Sequence, residues 1–263
     1  MATETPPTGT DLPAAQERVL LVVQTYNERA NLQELVTRFF AAAPRCHLLV
    51  VDDESPDGTA DLCVELQRDH PGLRLLRRTG IRSLGRAYVA GLHYGMERGY
   101  DVIGSMDADL SHNPDHLAAM LPLTRTHDVV VGSRYIRHGG TINWRIRRIL
   151  LSWLANRFAA WLLRIPAHDM TSGYRLYRRR ALEGIDFDEI TSSGYSFLVE
   201  LLYRLHRQGC TIAESPIDFY DRTMGESKLG TREIYVGAFR LIQLRLRLGT
   251  PRPAGEKRQL SPK

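Results

Sequence analysis

Asp107 and Asp109 stand two residues apart at the end of the apolar run Val102-Ile103-Gly104-Ser105-Met106, just ahead of Leu110-Ser111-His112-Asn113-Pro114. A strand that ends in closely spaced carboxylates delivers hard oxygen ligands into one crevice, a donor set suited to Mg²⁺ or Mn²⁺ carrying a substrate's phosphates. The pair alone is a weak signal, because D-x-D also occurs in ordinary solvated turns. Three more loops carry polar chemistry after short apolar runs: Tyr26-Asn27-Glu28, the stretch from Asp52 and Asp53 to Thr59, and Gly132-Ser133-Arg134. In an open α/β sheet such loops share one edge, so residues distant in sequence converge on one ligand. An acidic cluster able to bind a base, a ribose and a metal, facing an Arg that can fork onto phosphate, suits a nucleotide-sugar pocket. Each loop by itself also reads as a plain turn or helix cap; it is their number that favours the pocket.

The elements that must position these loops follow from hydrophobic periodicity. Strands are expected at Val19 to Thr25, Leu48 to Val51, Leu73 to Leu76, Val102 to Met106 and Val129 to Val131. Between them, helices are expected at about Asn31 to Ala42, Thr59 to Arg68, Ser83 to Arg98 and Asp115 to Thr124, with Asn31 and Thr59 as N-caps and Glu34 completing a capping box. The alternation implies an α/β fold with a mostly parallel central sheet and helices on both faces. No dinucleotide glycine fingerprint follows the first strand, which argues against a dehydrogenase.

With 263 residues and 43% hydrophobic content, the chain can bury one substantial core. The formal net charge of +5 is unevenly placed. From Arg134 to Arg180 there are eleven Arg, no Lys and a single acid, Asp169; elsewhere 24 basic residues face 29 acidic ones. Cys46, Cys63 and Cys210 match no metal spacing and read as reduced thiols. Residues 1–17 read as a flexible leader, 18–230 as the main domain, 231–249 as an amphipathic helix and 250–263 as a flexible tail. No stretch reaches the roughly 18 uninterrupted apolar residues that a span requires.

The strings "QTYNERANL", "VVDDESPDGT", "SLGRAYVAGL", "MDADLSHNP", "GSRY", "NWRIRR", "DMTSGYRLY" and "DRTMGESKLG" occur in an order that resembles the dolichol-phosphate (polyprenol-phosphate) mannosyltransferases, inverting family-2 glycosyltransferases with a GT-A (Rossmann-like) fold. The resemblance covers about Val19 to Gly249. It implies a donor site in which Gln24, Tyr26, Glu28, Val51 and Asp53 hold the base and ribose of GDP-mannose. Asp107 and Asp109 would hold the metal and diphosphate, helped by the Ala108 backbone, while Arg134, Arg222 and Lys228 would bind phosphate. Asp109 and Arg134 are the residues that it places at the reaction itself. Gln24 stands where the family has proline, and Ser111 where many members place a metal-binding Gln, which leaves the third protein ligand open.

Arg145, Arg148, Ser152 and Asn156 fall within roughly an 80° arc of one helix, at about 143–165, whose other faces carry Ile149, Leu150, Trp153, Leu154, Phe158, Trp161 and Leu162. Such a helix suits a membrane interface; the alternative is a helix buried in a bundle. The resemblance favours the interface and gives Arg134, Arg148 and Ser152 to the lipid phosphate. Residues 233–248, mixing apolar side chains with Arg240, Arg245 and Arg247, are a second candidate for an anionic leaflet. Arg175, in the "DMTSGYR" string, either serves the acceptor phosphate or pairs with Asp169, the latter being preferred.

The expected activity is transfer of mannose from GDP-mannose to a polyprenyl (dolichyl-type) monophosphate at the cytoplasmic face of the membrane, with inversion and with Mg²⁺ or Mn²⁺. A UDP-glucose-dependent polyprenyl-phosphate glucosyltransferase and a non-catalytic nucleotide-binding module are the alternatives. A separate membrane-anchoring partner protein is compatible with the missing span, and nucleic-acid binding is disfavoured because the cationic stretch is interleaved with a continuous apolar helix.

Overall fold

The computed structural model of the chain describes residues 17–190, 192, 194–221 and 231–249. Its first half alternates β1 (Val19–Thr25), α1 (Arg29–Ala42), β2 (His47–Asp52), α2 (Thr59–Leu66), β3 (Leu73–Arg77), α3 (Leu84–Glu97), β4 (Val102–Asp107), α4 (Leu117–Met120) and β5 (Val129–Ser133). The second half adds β6 (Gly140–Ile142), α5 (Ile146–Leu163), β7 (Arg175–Arg178), α6 (Arg179–Leu182), α7 (Tyr195–Arg207), β8 (Ile212–Pro216), β9 (Asp218–Tyr220) and α8 (Thr231–Leu248).

Seven strands form one sheet in the order β3-β2-β1-β4-β7-β5-β8, parallel throughout except for β7, which runs antiparallel to β4 and β5. The expected mostly parallel α/β sheet is therefore present. β1 shows why it folds this way: Leu20 and Val22 pack into one apolar cluster while Val19, Leu21 and Val23 pack into the other. A strand covered on both faces needs that two-residue alternation with no polar side. The first cluster brings in Leu92, Leu163 and Leu201 from α3, α5 and α7; the second is closed by Leu32, Leu35, Val36 and Phe39 of α1. α3 approaches β1 so closely that a Cβ on Gly91 would lie 2.3 Å from Val22 Cγ1.

Three local expectations need correction. α1 begins at Arg29, because the Glu28 carbonyl already accepts the amides of Asn31 and Leu32. Asn31 is thus inside the helix and donates its side-chain amide to Glu28 Oε2, and Glu34 pairs with Arg38 instead of closing a capping box. α2 is preceded by Gly58 in the left-handed region, and Asp57 Oδ1, not the Thr59 hydroxyl, accepts the first helical amide. The helix expected at Asp115 to Thr124 breaks into a 3₁₀ turn at Pro114–His116, one α-turn and a second 3₁₀ turn at Leu121–Arg125. Pro122 lacks an amide proton and its ring crowds the preceding turn.

β7 was not expected. Its string Arg175-Leu176-Tyr177-Arg178 looks polar, yet Arg175 is fully buried and its guanidinium donates to the backbone carbonyls of Ser172, Leu198 and Met170. Arg175 therefore does not pair with Asp169, contrary to expectation. No helix among the described residues is long and apolar enough to cross a membrane.

Candidate active site at the carboxyl edge of the sheet

Register brings the donor-side residues together. Gln24 on β1 lies opposite Val51 on β2 and Asp107 on β4, so three of the expected residues stand abreast at the strand ends. Val51 is fully buried and acts as floor, whereas Tyr26 is 40% exposed at the rim. The first two loops are knotted to each other: Asn27 N–H donates to Ser55 Oγ, Glu28 N–H to Thr59 Oγ1 and Arg29 N–H to Asp57 Oδ2. Of the adjacent carboxylates, Asp52 is structural, accepting from the Thr25 and Ser55 hydroxyls and from the Ser55 amide. Asp53, by contrast, is paired with Arg78. Arg82 stacks 3.8 Å over the ring of Tyr26. Neither arginine was anticipated; the only signal was the basic character of the residues after β3.

The D-x-D loop is fixed by its own next residues. Leu110 takes φ +62°, which turns the chain so that Ser111, fully buried, donates its amide at 3.1 Å and its hydroxyl to the same oxygen, Asp109 Oδ1. Ser111 therefore orients Asp109. His112 Nδ1 accepts the Asp107 amide at 3.1 Å, which places the ring proton on Nε2. Burial, opposed by Asp109, pushes His112 down to about 3, so the imidazole is neutral. Gly173 completes the wall, since a Cβ there would meet Asp107 Oδ1 and the Tyr88 hydroxyl at 2.9 Å. Ala108 is buried and offers only its backbone.

Two carboxylates held in this way fit a hard divalent ion that keeps most of its coordination for water and phosphate oxygens. Among the described residues no group of three or more His, Cys, Asp or Glu side chains converges, so a protein-only cage is not what this edge provides.

The basic side is built differently. Arg134 follows β5 and is 8% exposed; its Nε and Nη2 fork onto Asp169 at 2.7 and 2.8 Å, and Nη2 also reaches Thr171 Oγ1. Burial works against both charges, but each partner outweighs it: the Arg134 pKa is raised and that of Asp169 lowered. The expected fork onto phosphate is thus already occupied by a carboxylate, which leaves Nη1 as the face of Arg134 for a ligand. Tyr135, Trp144 and Phe219 surround its guanidinium at 5.2 to 5.5 Å. Arg148, in the first turn of α5, donates from Nη1 to Asp221 at 2.7 Å and stacks 3.7 Å over Trp144. Ser152 lies one turn further, next to Tyr135. Arg222 and Lys228 lie outside the described residues.

α5 turns Arg148, Ser152 and Asn156 of its polar stripe towards the domain, while Arg145 stays exposed. Asn156 is buried, accepting the Met170 amide on Oδ1 and donating to Ser152 O and Thr171 Oγ1. The apolar residues face out: Ile146 is 82% exposed, Trp161 75%, and Leu150, Leu151, Trp153, Leu154 and Phe158 are exposed as well. The helix is not buried in a bundle. α8 packs against it and exposes Ile242 and Leu246.

Comparison with known proteins bears on the family and the fold. A polyprenol monophosphomannose synthase from Mycolicibacterium smegmatis is 42% identical over 233 residues, covering 88% of each chain. An undecaprenyl-phosphate mannosyltransferase from Micrococcus luteus is 43% identical over 212 residues, covering 81% of this chain and 87% of its own. Among solved structures, a mannosyltransferase from Pyrobaculum calidifontis in complex with GDP-Man and Mn²⁺ superposes with a TM-score of 0.60 at 19% identity, covering 95% of this chain and 70% of its own. The glucosyl-3-phosphoglycerate synthase from Mycobacterium tuberculosis, in complex with Mn²⁺ and UDP, gives 0.61 at 19% identity, covering 95% and 88%. These likenesses identify the fold as GT-A. Residues 20–186, which carry both the acidic edge and the Arg134–Asp169 pair, match the family model for glycosyl transferase family 2, and the chain belongs to that family.

Proposed function

We propose that the chain moves mannose from GDP-mannose to a polyprenyl monophosphate and releases GDP. One observation carries this reading: the carboxylate edge of β4 and the arginine-aromatic cluster beside β5 meet at the same end of the sheet, and the outward apolar face of α5 begins where that cluster ends. Full-length relatives named for polyprenyl-phosphate mannose transfer support it.

In this reading Tyr26, Glu28, Asp53 and Gln24 receive the nucleoside, with Arg78 holding Asp53 in place. Asp107 and Asp109 anchor the diphosphate together with Mg²⁺ or Mn²⁺, and Arg222 and Lys228 complete the donor contacts. The bound ion supplies charge stabilisation for the departing GDP. The acceptor needs no strong base, because a phosphate monoester with a second pKa near ~6 is largely dianionic at pH 7. Its oxygen attacks the anomeric carbon as the bond to GDP breaks on the opposite face, so an α-linked donor yields a β-linked product. Arg148, Ser152 and the Nη1 edge of Arg134 offset the repulsion between two anions, a task that preorganised donors perform without reorganising.

The lipid comes from a membrane surface on which α5 lies. An exposed apolar strip along an 18-residue helix, flanked by the exposed Arg145, Arg147, Arg157 and Arg164, suits an anionic leaflet, on the cytoplasmic side where the nucleotide sugar would be supplied. Radiolabelled mannose transfer from GDP-mannose to polyprenyl phosphate in the presence of Mn²⁺ tests the activity, with UDP-glucose as the competing donor. Turnover with UDP-glucose alone would replace the sugar assignment, and no turnover with either donor would remove the enzyme reading.

A further inference from the structure

The arginine-aromatic cluster holds more hydrogen-bond donors than acceptors. Trp144 Nε1 and Arg148 Nε are both buried, and neither has a hydrogen-bond partner among the described residues. They belong to one stacked pair, the guanidinium lying 3.7 Å over the indole. Phe219 closes the indole edge-on at 5.4 Å, and Arg134 stands 5.5 Å from the same ring. Buried N–H groups are almost always satisfied, and an orphaned one is costly enough to call for an explanation. Two orphans in one stack, between two cations, call for an acceptor with several oxygens and a negative charge.

We infer that the indole N–H of Trp144 is a binding group for the terminal phosphate of the lipid acceptor, acting beside Arg148 Nε. The inference rests on the acceptor reading above and adds to it a neutral donor that the expected set of Arg134, Arg148 and Ser152 did not contain. Position favours the acceptor over the donor diphosphate. Trp144 comes just before α5, the helix with the exposed apolar face, whereas His112, which follows the D-x-D loop, meets this cluster at Phe219, edge-on at 5.0 Å. The acceptor oxygen would therefore lie one aromatic ring away from the carboxylate edge. A neutral donor also suits the place: Arg134 and Arg148 each already carry a carboxylate, Asp169 and Asp221, so the incoming phosphate is bound largely by directed N–H groups instead of by excess charge.

The test replaces a single hydrogen-bond donor while keeping an aromatic ring under Arg148. Farnesyl monophosphate and farnesol are titrated calorimetrically into the wild-type chain and into Trp144→Phe, with thermal unfolding of both followed in parallel. The expected result is a preference of the wild type for the phosphate, a loss of about tenfold in phosphate affinity in Trp144→Phe, and no change for farnesol or in the unfolding temperature. Should Trp144→Phe bind farnesyl monophosphate as tightly as a wild type that still prefers phosphate over alcohol, the indole assignment fails alone. Should the wild type show no such preference, the acceptor reading fails with it.

Discussion

The two halves of the catalytic edge solve opposite problems. On the proposed donor side, Asp107 and Asp109 lie at the end of a parallel strand: the Asp107 side chain is 23% exposed, and Asp109, itself buried, is oriented by Ser111. On the acceptor side the cations are sunk into the wall between β5, β7 and α5, where Arg134 cannot remain unpaired and is neutralised by Asp169. The difference is one of partners: Arg134 shares its burial with a bidentate counterion, whereas Asp109 is met by the hydroxyl and amide of Ser111. In the proposed reading the β4 edge rests on a carboxylate oriented by neutral donors, and the acceptor half on cations that already carry carboxylates.

The largest effect should come from breaking the Arg134–Asp169 pair. Asp169→Asn leaves the Arg134 charge buried without its counterion and is expected to cost about 3–5 kcal/mol in urea unfolding, far more than any change on the donor side. Unchanged stability would mean that the two halves do not differ in this way. Asp109→Asn should do the reverse, leaving the unfolding midpoint in place while kcat/KM falls by roughly 3 kcal/mol, above a hundredfold, and Mn²⁺ binding followed by electron paramagnetic resonance is lost.

The outer face of α5 offers a third comparison, because it should matter to neither fold nor chemistry. Leu154→Ser combined with Trp161→Ser should weaken cosedimentation with anionic vesicles by about 2 kcal/mol, with activity on a water-soluble acceptor retained. Vesicle binding that survives this pair would argue that another protein, not a leaflet, covers the face.

The last effect, small over any one pH unit, is a slope. His112 is held neutral down to about 3, against 6.5 for an ordinary imidazole, so as pH falls the unfolded chain takes its proton first. Its stabilising contribution is complete above pH 6.5 and is lost progressively towards pH 3, at up to about 1.4 kcal/mol per pH unit. His112→Gln in metal-free protein should flatten the acid limb of the stability curve; an unaltered limb would place the imidazole in solvent.

Much of the donor half was legible because strands advertise themselves by period and loops by composition. Val19 to Thr25 appears with the expected bounds, and Gln24, Val51 and Asp107 fall into one row because parallel register leaves few choices. β7 was hidden, since a buried arginine satisfied by three carbonyls looks like a surface residue in a string of letters. Trp144 and Phe219 escaped notice for a related reason. An aromatic residue in a loop or in a three-residue strand shows no period, and its role arises from the groups that pack on it.

By itself the sequence determined the alternating α/β order, the acidic edge and its companion loops, because those depend on local periodicity and on residue type at strand ends. It also determined that one segment would be both cationic and apolar. Tertiary structure alone decided which charge neutralises which: Asp169 chose Arg134 over Arg175, Asp221 took Arg148, and Ser111 turned to Asp109. It likewise decided that Asn156 of α5 faces the domain, while Leu150, Leu151, Trp153, Leu154 and Trp161 face out. Pairing and facing depend on distances across the fold, and buried charge and orphaned donors are defined only once those distances exist.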